Sequence, residues 1–127
     1  MAGMYGVRWN VPANRLEFAL SGLFDEKTWH RWDVKYRAAL CRPPAPEWSL
    51  LGDLTGFPAQ DDEVQRGAGE HMRLACARGC VHMMLVFPDD SVAAPTRIRV
   101  HNLGLDGLVT VAPSLAEARR LLSAGDA

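Results

Sequence analysis

His71, Cys76, Cys80 and His82 stand in the pattern H-x4-C-x3-C-x-H, with the nitrogen and thiolate ligand types that zinc accepts. The spacing matches no closed zinc knuckle. Cys76 and Cys80 also straddle Gly79, where a helix is expected to stop, so no metal site is expected. A redox C-x-x-C is absent. Acid–base chemistry would need a nucleophile beside a base, or paired acids in a cleft. Asp53, Asp61, Asp62, His30, His71, His82 and His101 qualify by residue type, with no pattern that pairs them. Gly52, Gly56, Gly67 and Gly69 form neither a Walker loop nor G-x-G-x-x-G. Arg97-Ile98-Arg99 and Arg119-Arg120 are too few for a nucleic-acid footprint. The reading is therefore of a non-enzyme without cofactor or metal. Asp53 draws most interest, because an acid at the carboxyl end of an apolar strand can reach the crevice where open α/β sheets bind ligands.

The element that would carry Asp53 begins at Leu50-Leu51-Gly52, an apolar run too short for a buried helix and suited to a central strand. It breaks at Gly56 and Pro58 and ends in Asp61-Asp62-Glu63, acids that favour a helix N-terminus. Around it, 127 residues with 48% hydrophobic and 23% charged side chains describe one ordinary globular domain, with its core within about 5–123. A formal net charge of -1 provides no field for nucleic acid or an anionic membrane. Three cysteines, an odd number, fit a reducing cytoplasm better than a disulfide framework. Met1 to Gly6 lacks the features of a signal peptide, and no apolar run approaches the ~20 residues of a membrane span.

Val7, Trp9 and Val11 alternate with polar residues, as do Leu16, Phe18 and Leu20, and Pro12-Ala13-Asn14 lies between them: an opening β-hairpin. Asp25 is placed to cap a helix over 26–40, with Trp29, Trp32, Tyr36 and Leu40 on one face. Two tryptophans are more than a small core usually needs, so one is a candidate for a partly exposed groove. Lys27, Arg31, Lys35 and Arg37 form a solvated face, and Arg42-Pro43-Pro44-Ala45-Pro46 is a stiff loop. A strand follows over Trp48–Leu54 and a second helix from Asp61 or Asp62 to about Arg78. The buried side of that helix is Val64, Ala68, Met72 and Ala75, and Gly67 and Gly69 would let it approach the sheet closely. Val81 to Phe87 reads as a strand buried on both faces. Then come a helix over 91–103, a strand over 108–112 and a helix over 115–123, whose Ser114 and Glu117 would form a capping box. The fold class is α/β: a mixed sheet opening with a hairpin, then βα units, with about four helices packed on it.

This order resembles the STAS domains, the anti-sigma-factor antagonist family. Leu16-Glu17-Phe18-Ala19-Leu20-Ser21-Gly22 is similar to that family's second strand, and Leu51-Gly52-Asp53-Leu54-Thr55-Gly56-Phe57 to its hydrophobic-D-L-S-G-V strand. Ala77-Arg78-Gly79, the following strand, Asn102-Leu103-Gly104-Leu105-Asp106, Leu108-Val109-Thr110-Val111 and Ser114-Leu115-Ala116-Glu117-Ala118 resemble its C-terminal half. Members switched by phosphorylation carry D-S-S/T-G at the start of the second helix. Counted from Asp53, those positions fall on Asp61, Asp62, Glu63 and Val64, so no phosphoacceptor hydroxyl remains. Thr55 and Ser49 are the nearest hydroxyls. The resemblance implies a cytoplasmic regulatory module binding a protein, such as an anti-sigma kinase or another signalling protein. Its contact surface would be Asp53, Thr55, Gly56, Phe57, Asp61, Asp62, Glu63 and Arg66. A looser likeness, to SpoIIAA-like proteins, implies instead a site for a lipid or small apolar molecule, with Trp29, Trp32 and Met83-Met84 as lining.

Overall fold

The hairpin forms where alternation places it. In the computed structural model, which describes residues 2–126, β1 (Met4–Asn10) pairs antiparallel with β2 (Arg15–Ser21), matching Val7 to Phe18 and Trp9 to Leu16. Val11 does not continue the strand. It starts the turn and is 61% exposed, because the chain must reverse before its side chain can reach the core face. Next come α1 (Glu26–Leu40), β3 (Trp48–Gly56), α2 (Asp62–Ala77), β4 (Cys80–Val86), α3 (Asp90–Asn102), β5 (Val109–Ala112) and α4 (Leu115–Asp126). The sheet has the order β1-β2-β3-β4-β5, with every pair after the hairpin parallel. It is a five-stranded mixed sheet carrying four helices, as the alternation of elements implies.

Leucine neighbours on β3 point to opposite faces, and this divides the core. Leu50 and Leu54 join Leu16, Leu20, Met83 and Leu85 beneath α1, α2 and α3. Leu51, Met84, Val86 and Ala112 pack under Ala118 and Leu122 of α4. Burial on both faces explains the nearly continuous apolar runs of β3 and β4. Val81 departs from that reading at 50% exposure, since the strand begins at Cys80 and α4 does not cover its first residues.

Helix starts follow the capping chemistry. Asp25, Asp61 and Asp89 accept the amide hydrogens of Thr28, Val64 and Val92 at 2.8, 3.0 and 3.0 Å. Gly79 ends α2 with φ of +106°, a conformation suited to glycine. At α4 only half of the expected capping box forms. Ser114 accepts from the Glu117 amide at 3.1 Å, while the Glu117 carboxylate binds Arg120 one turn on instead of reaching back. The glycines of α2 also depart from expectation. A Cβ on Gly67 would lie 2.3 Å from the Trp29 ring of α1, and one on Gly69 would lie 2.8 Å from Arg99 Cδ of α3. They make room for side chains of the neighbouring helices, not for the sheet. Among the described residues no helix is long and apolar enough to cross a membrane.

Candidate functional site

β3 runs two residues beyond Leu54, so Thr55 and Gly56 end the strand and Phe57–Asp61 lead into α2. Gln60 braces this turn. Its Oε1 accepts the Phe24 amide hydrogen at 3.0 Å, and its Nε2 donates to the carbonyls of Gly22 and Pro58, each at 3.0 Å. Gln65 donates to the Gln60 carbonyl at 2.8 Å, and the Phe57 amide donates back to Leu54 at 3.0 Å. One glutamine thus ties the turn to the segment joining β2 to α1. No sequence motif flagged it, because the partners that tie it across the fold, Phe24 and Gly22, are main-chain groups more than thirty residues away.

Asp53 does not reach the crevice. Its Oδ1 accepts from the Thr55 amide at 3.1 Å and the Thr55 hydroxyl at 2.7 Å, closing a local turn. In register it stands between Ala19 and Val86, on the sheet face that carries α4. Asp61 is spent as the helix cap. Thr55, Gly56, Asp61, Asp62, Glu63 and Arg66 are exposed, while Asp53 and Phe57 are half-buried. Phe57 turns under the loop and meets Phe24 edge-on at 5.4 Å. The expected contact residues therefore separate into an exposed polar rim and an apolar underside.

Below that underside lies an apolar crevice between the sheet and α1, α2 and α3. It consists of two adjoining cavities of about 50 and 70 Å³ that share Phe57, Ala68, Met72, Phe87 and Thr96. Trp32 is fully buried, and half-buried Trp29 is the tryptophan left in a groove. Met83 lines the crevice with them. Met84 does not; it lies on the opposite sheet face under α4, because neighbours on a strand diverge.

His71, in the wall of the inner cavity, belongs to a side-chain pair that no motif marks. His71 Nε2 lies 2.8 Å from Asp33 Oδ1, and the imidazole is stacked between Tyr36 and Trp29 at centroid distances of 4.0 and 4.9 Å. Burial lowers the His71 pKa against the opposing pull of Asp33. Burial alone would raise Asp33, but the His71 hydrogen bond and Arg37 outweigh it and hold the carboxyl below its ordinary value. Both shifts describe one state: a neutral imidazole donating Nε2–H to a carboxylate. Tyr36 donates its hydroxyl hydrogen to the His71 carbonyl at 2.7 Å, and burial pushes its pKa upward. A signal was available, since Asp33 lies four residues after Trp29 and His71 three after Ala68, both on apolar helix faces.

The residues of the H-x4-C-x3-C-x-H pattern are dispersed. His71 faces α1, burial pushes the Cys80 thiol up to about 12, and His82 lies 3.2 Å from Thr110 Oγ1. Among the described residues no three metal-ligating side chains are gathered. His101 is exposed beside Asp106 at 3.3 Å. No protein-family model matches this chain, and a search of curated proteins finds no match.

Proposed function

We propose that this chain is a STAS-like, non-catalytic regulatory module of the cytoplasm. It binds a protein partner through the 55–63 turn and the exposed side of α2. An ATP-binding anti-sigma kinase or another signalling protein is the partner class that the resemblance implies. The observation that carries the reading is the division of the turn. Gln60 and Asp61 hold it from within, leaving Thr55, Gly56, Asp62, Glu63 and Arg66 in solvent on a preformed rim. A preformed loop loses little conformational entropy on binding. Acids at the aligned phosphoacceptor positions make the contact constitutive, with no phosphate switch. Affinity capture from the native host tests this: Asp62→Lys should lose partners that the wild type recovers. Equal recovery by both proteins would remove the turn as the interface.

The crevice favours a second reading, a site for a small apolar molecule. Trp29, Trp32 and Met83 line it as that reading expects, and its size restricts the occupant to a small molecule. Native mass spectrometry of the purified chain should find a co-purified ligand. Its absence, together with no thermal shift across a metabolite panel, would oppose this reading.

A further inference from the structure

The walls of the crevice are apolar: Phe57, Val64, Ala68, Met72 and Phe87 enclose most of it. Its inner end meets His71, whose pKa burial lowers against the pull of Asp33, and Asp33 itself does not line the cavity, so no formally charged side chain lines that end. Its outer end meets Arg99 of α3, the one formally charged side chain in the lining of either cavity among the described residues. Arg99 is half-buried and its stem lies over Gly69. It has no ion-pair partner among the described residues, whereas Arg97, two positions earlier on α3, is 3.6 Å from Asp90. A guanidinium held against apolar walls is well suited to a carboxylate, which it can bind through two parallel hydrogen bonds.

We infer that the crevice binds a small monocarboxylate with an apolar body, its carboxylate on Arg99 beside Thr96 and its body among Phe57, Met72 and Phe87. This rests on the second reading above and names its ligand class. One guanidinium with no other cation in the lining matches a single negative charge better than a phosphate dianion. The apolar walls match the rest of the ligand. Cavities of about 50 and 70 Å³ hold several waters' worth of space, which excludes a diacyl lipid or a peptide. Phe57, Pro58, Ala59 and Gln60 line the outer cavity, so an occupant touches the inner side of the turn whose rim is proposed to meet the partner.

Hexanoate and hexanol serve as matched probes, titrated into the full chain with calorimetry and amide chemical shifts as readouts. Hexanoate should bind more tightly than hexanol and shift amides of residues 57–60, 68–72 and 96–99. Arg99→Gln should weaken hexanoate about tenfold or more, the effect of one charge-assisted pair, and leave hexanol unchanged. Ala68→Leu should fill the shared wall and remove binding of both without lowering Tm. Equal binding of both probes, insensitive to Arg99→Gln, would overturn the carboxylate assignment while leaving an apolar site standing. Hexanoate shifts confined to other residues of the wild type would overturn the location. No binding of either probe at millimolar concentration would overturn the ligand-binding reading itself.

Discussion

Gly67 and Gly69 occupy one helix two residues apart, and replacing each with alanine should change stability in opposite directions. Intrinsic helix propensity favours alanine at both by about 1 kcal/mol. At Gly67 the new Cβ would lie 2.3 Å from Trp29 Cζ2 and 2.6 Å from Cε2. That indole has little room to retreat, since it stacks on His71 at 4.9 Å and meets Phe24 at 6.4 Å. Overpacking against a held ring costs about 1–3 kcal/mol, so Gly67→Ala should destabilise by up to about 2 kcal/mol net. At Gly69 the nearest atoms are Cδ of Arg99 at 2.8 Å and its Nη1 at 3.4 Å. A flexible stem can swing aside, and Gly69→Ala should stabilise by about 0.5–1 kcal/mol. Burial alone would rank them the other way, because Gly69 is buried and Gly67 only half-buried. Urea denaturation of the two variants measures both values. Equal shifts of the same sign would refute the close contact between α2 and the Trp29 ring. Gly69→Ala should also weaken hexanoate binding by displacing Arg99.

The cap and the acid sensitivity offer two further tests. Asp61→Ala should cost about 1 kcal/mol in chemical denaturation by leaving the Val64 amide without its acceptor. Asp62→Ala should cost less, acting through the helix dipole alone, and a larger loss at Asp62 would show the cap to be misassigned. For the His71–Asp33 pair, both folded-state pKa values lie below their unfolded values of 6.5 and 3.8, so the unfolded chain binds more protons. Their stability contribution is present above about pH 6.5, falls first as His71 of the unfolded chain protonates, and falls again below about pH 3.8. Arg37 and Glu70 are the other charged groups facing the pair. In urea titrations His71→Phe should flatten the step near pH 6.5, and an unchanged step would assign it elsewhere.

Element order and type, the caps of α1 and α2 and the turn after β3 were legible in the sequence, because local chemistry decides them; the Asp89 cap of α3 was not read, and the capping box at α4 formed only by half. Alternation marks a strand, an aspartate before an apolar-periodic run caps a helix, and Gly79 stops one. Asp53, Asp61, Asp62 and Glu63 could be placed at a strand end and a helix start by the same rules. Which of those acids is spent locally depended on geometry: Asp53 on Thr55, Asp61 on Val64, with Asp62 and Glu63 left exposed.

The crevice belongs to tertiary structure. Met83 and Met84 look equivalent in a run of apolar letters, yet opposite sides of one strand put the first in the cavity wall and the second beneath α4. Asp33 and His71 are separated by 38 positions and become partners only when α1 and α2 pack side by side. Gly67 and Gly69 read as concessions to the sheet until the neighbouring helices bring Trp29 and Arg99 against them. Spacing along the chain determines which face of an element a residue takes. What that face meets follows from how the helices settle on the sheet, and local sequence chemistry does not contain that information.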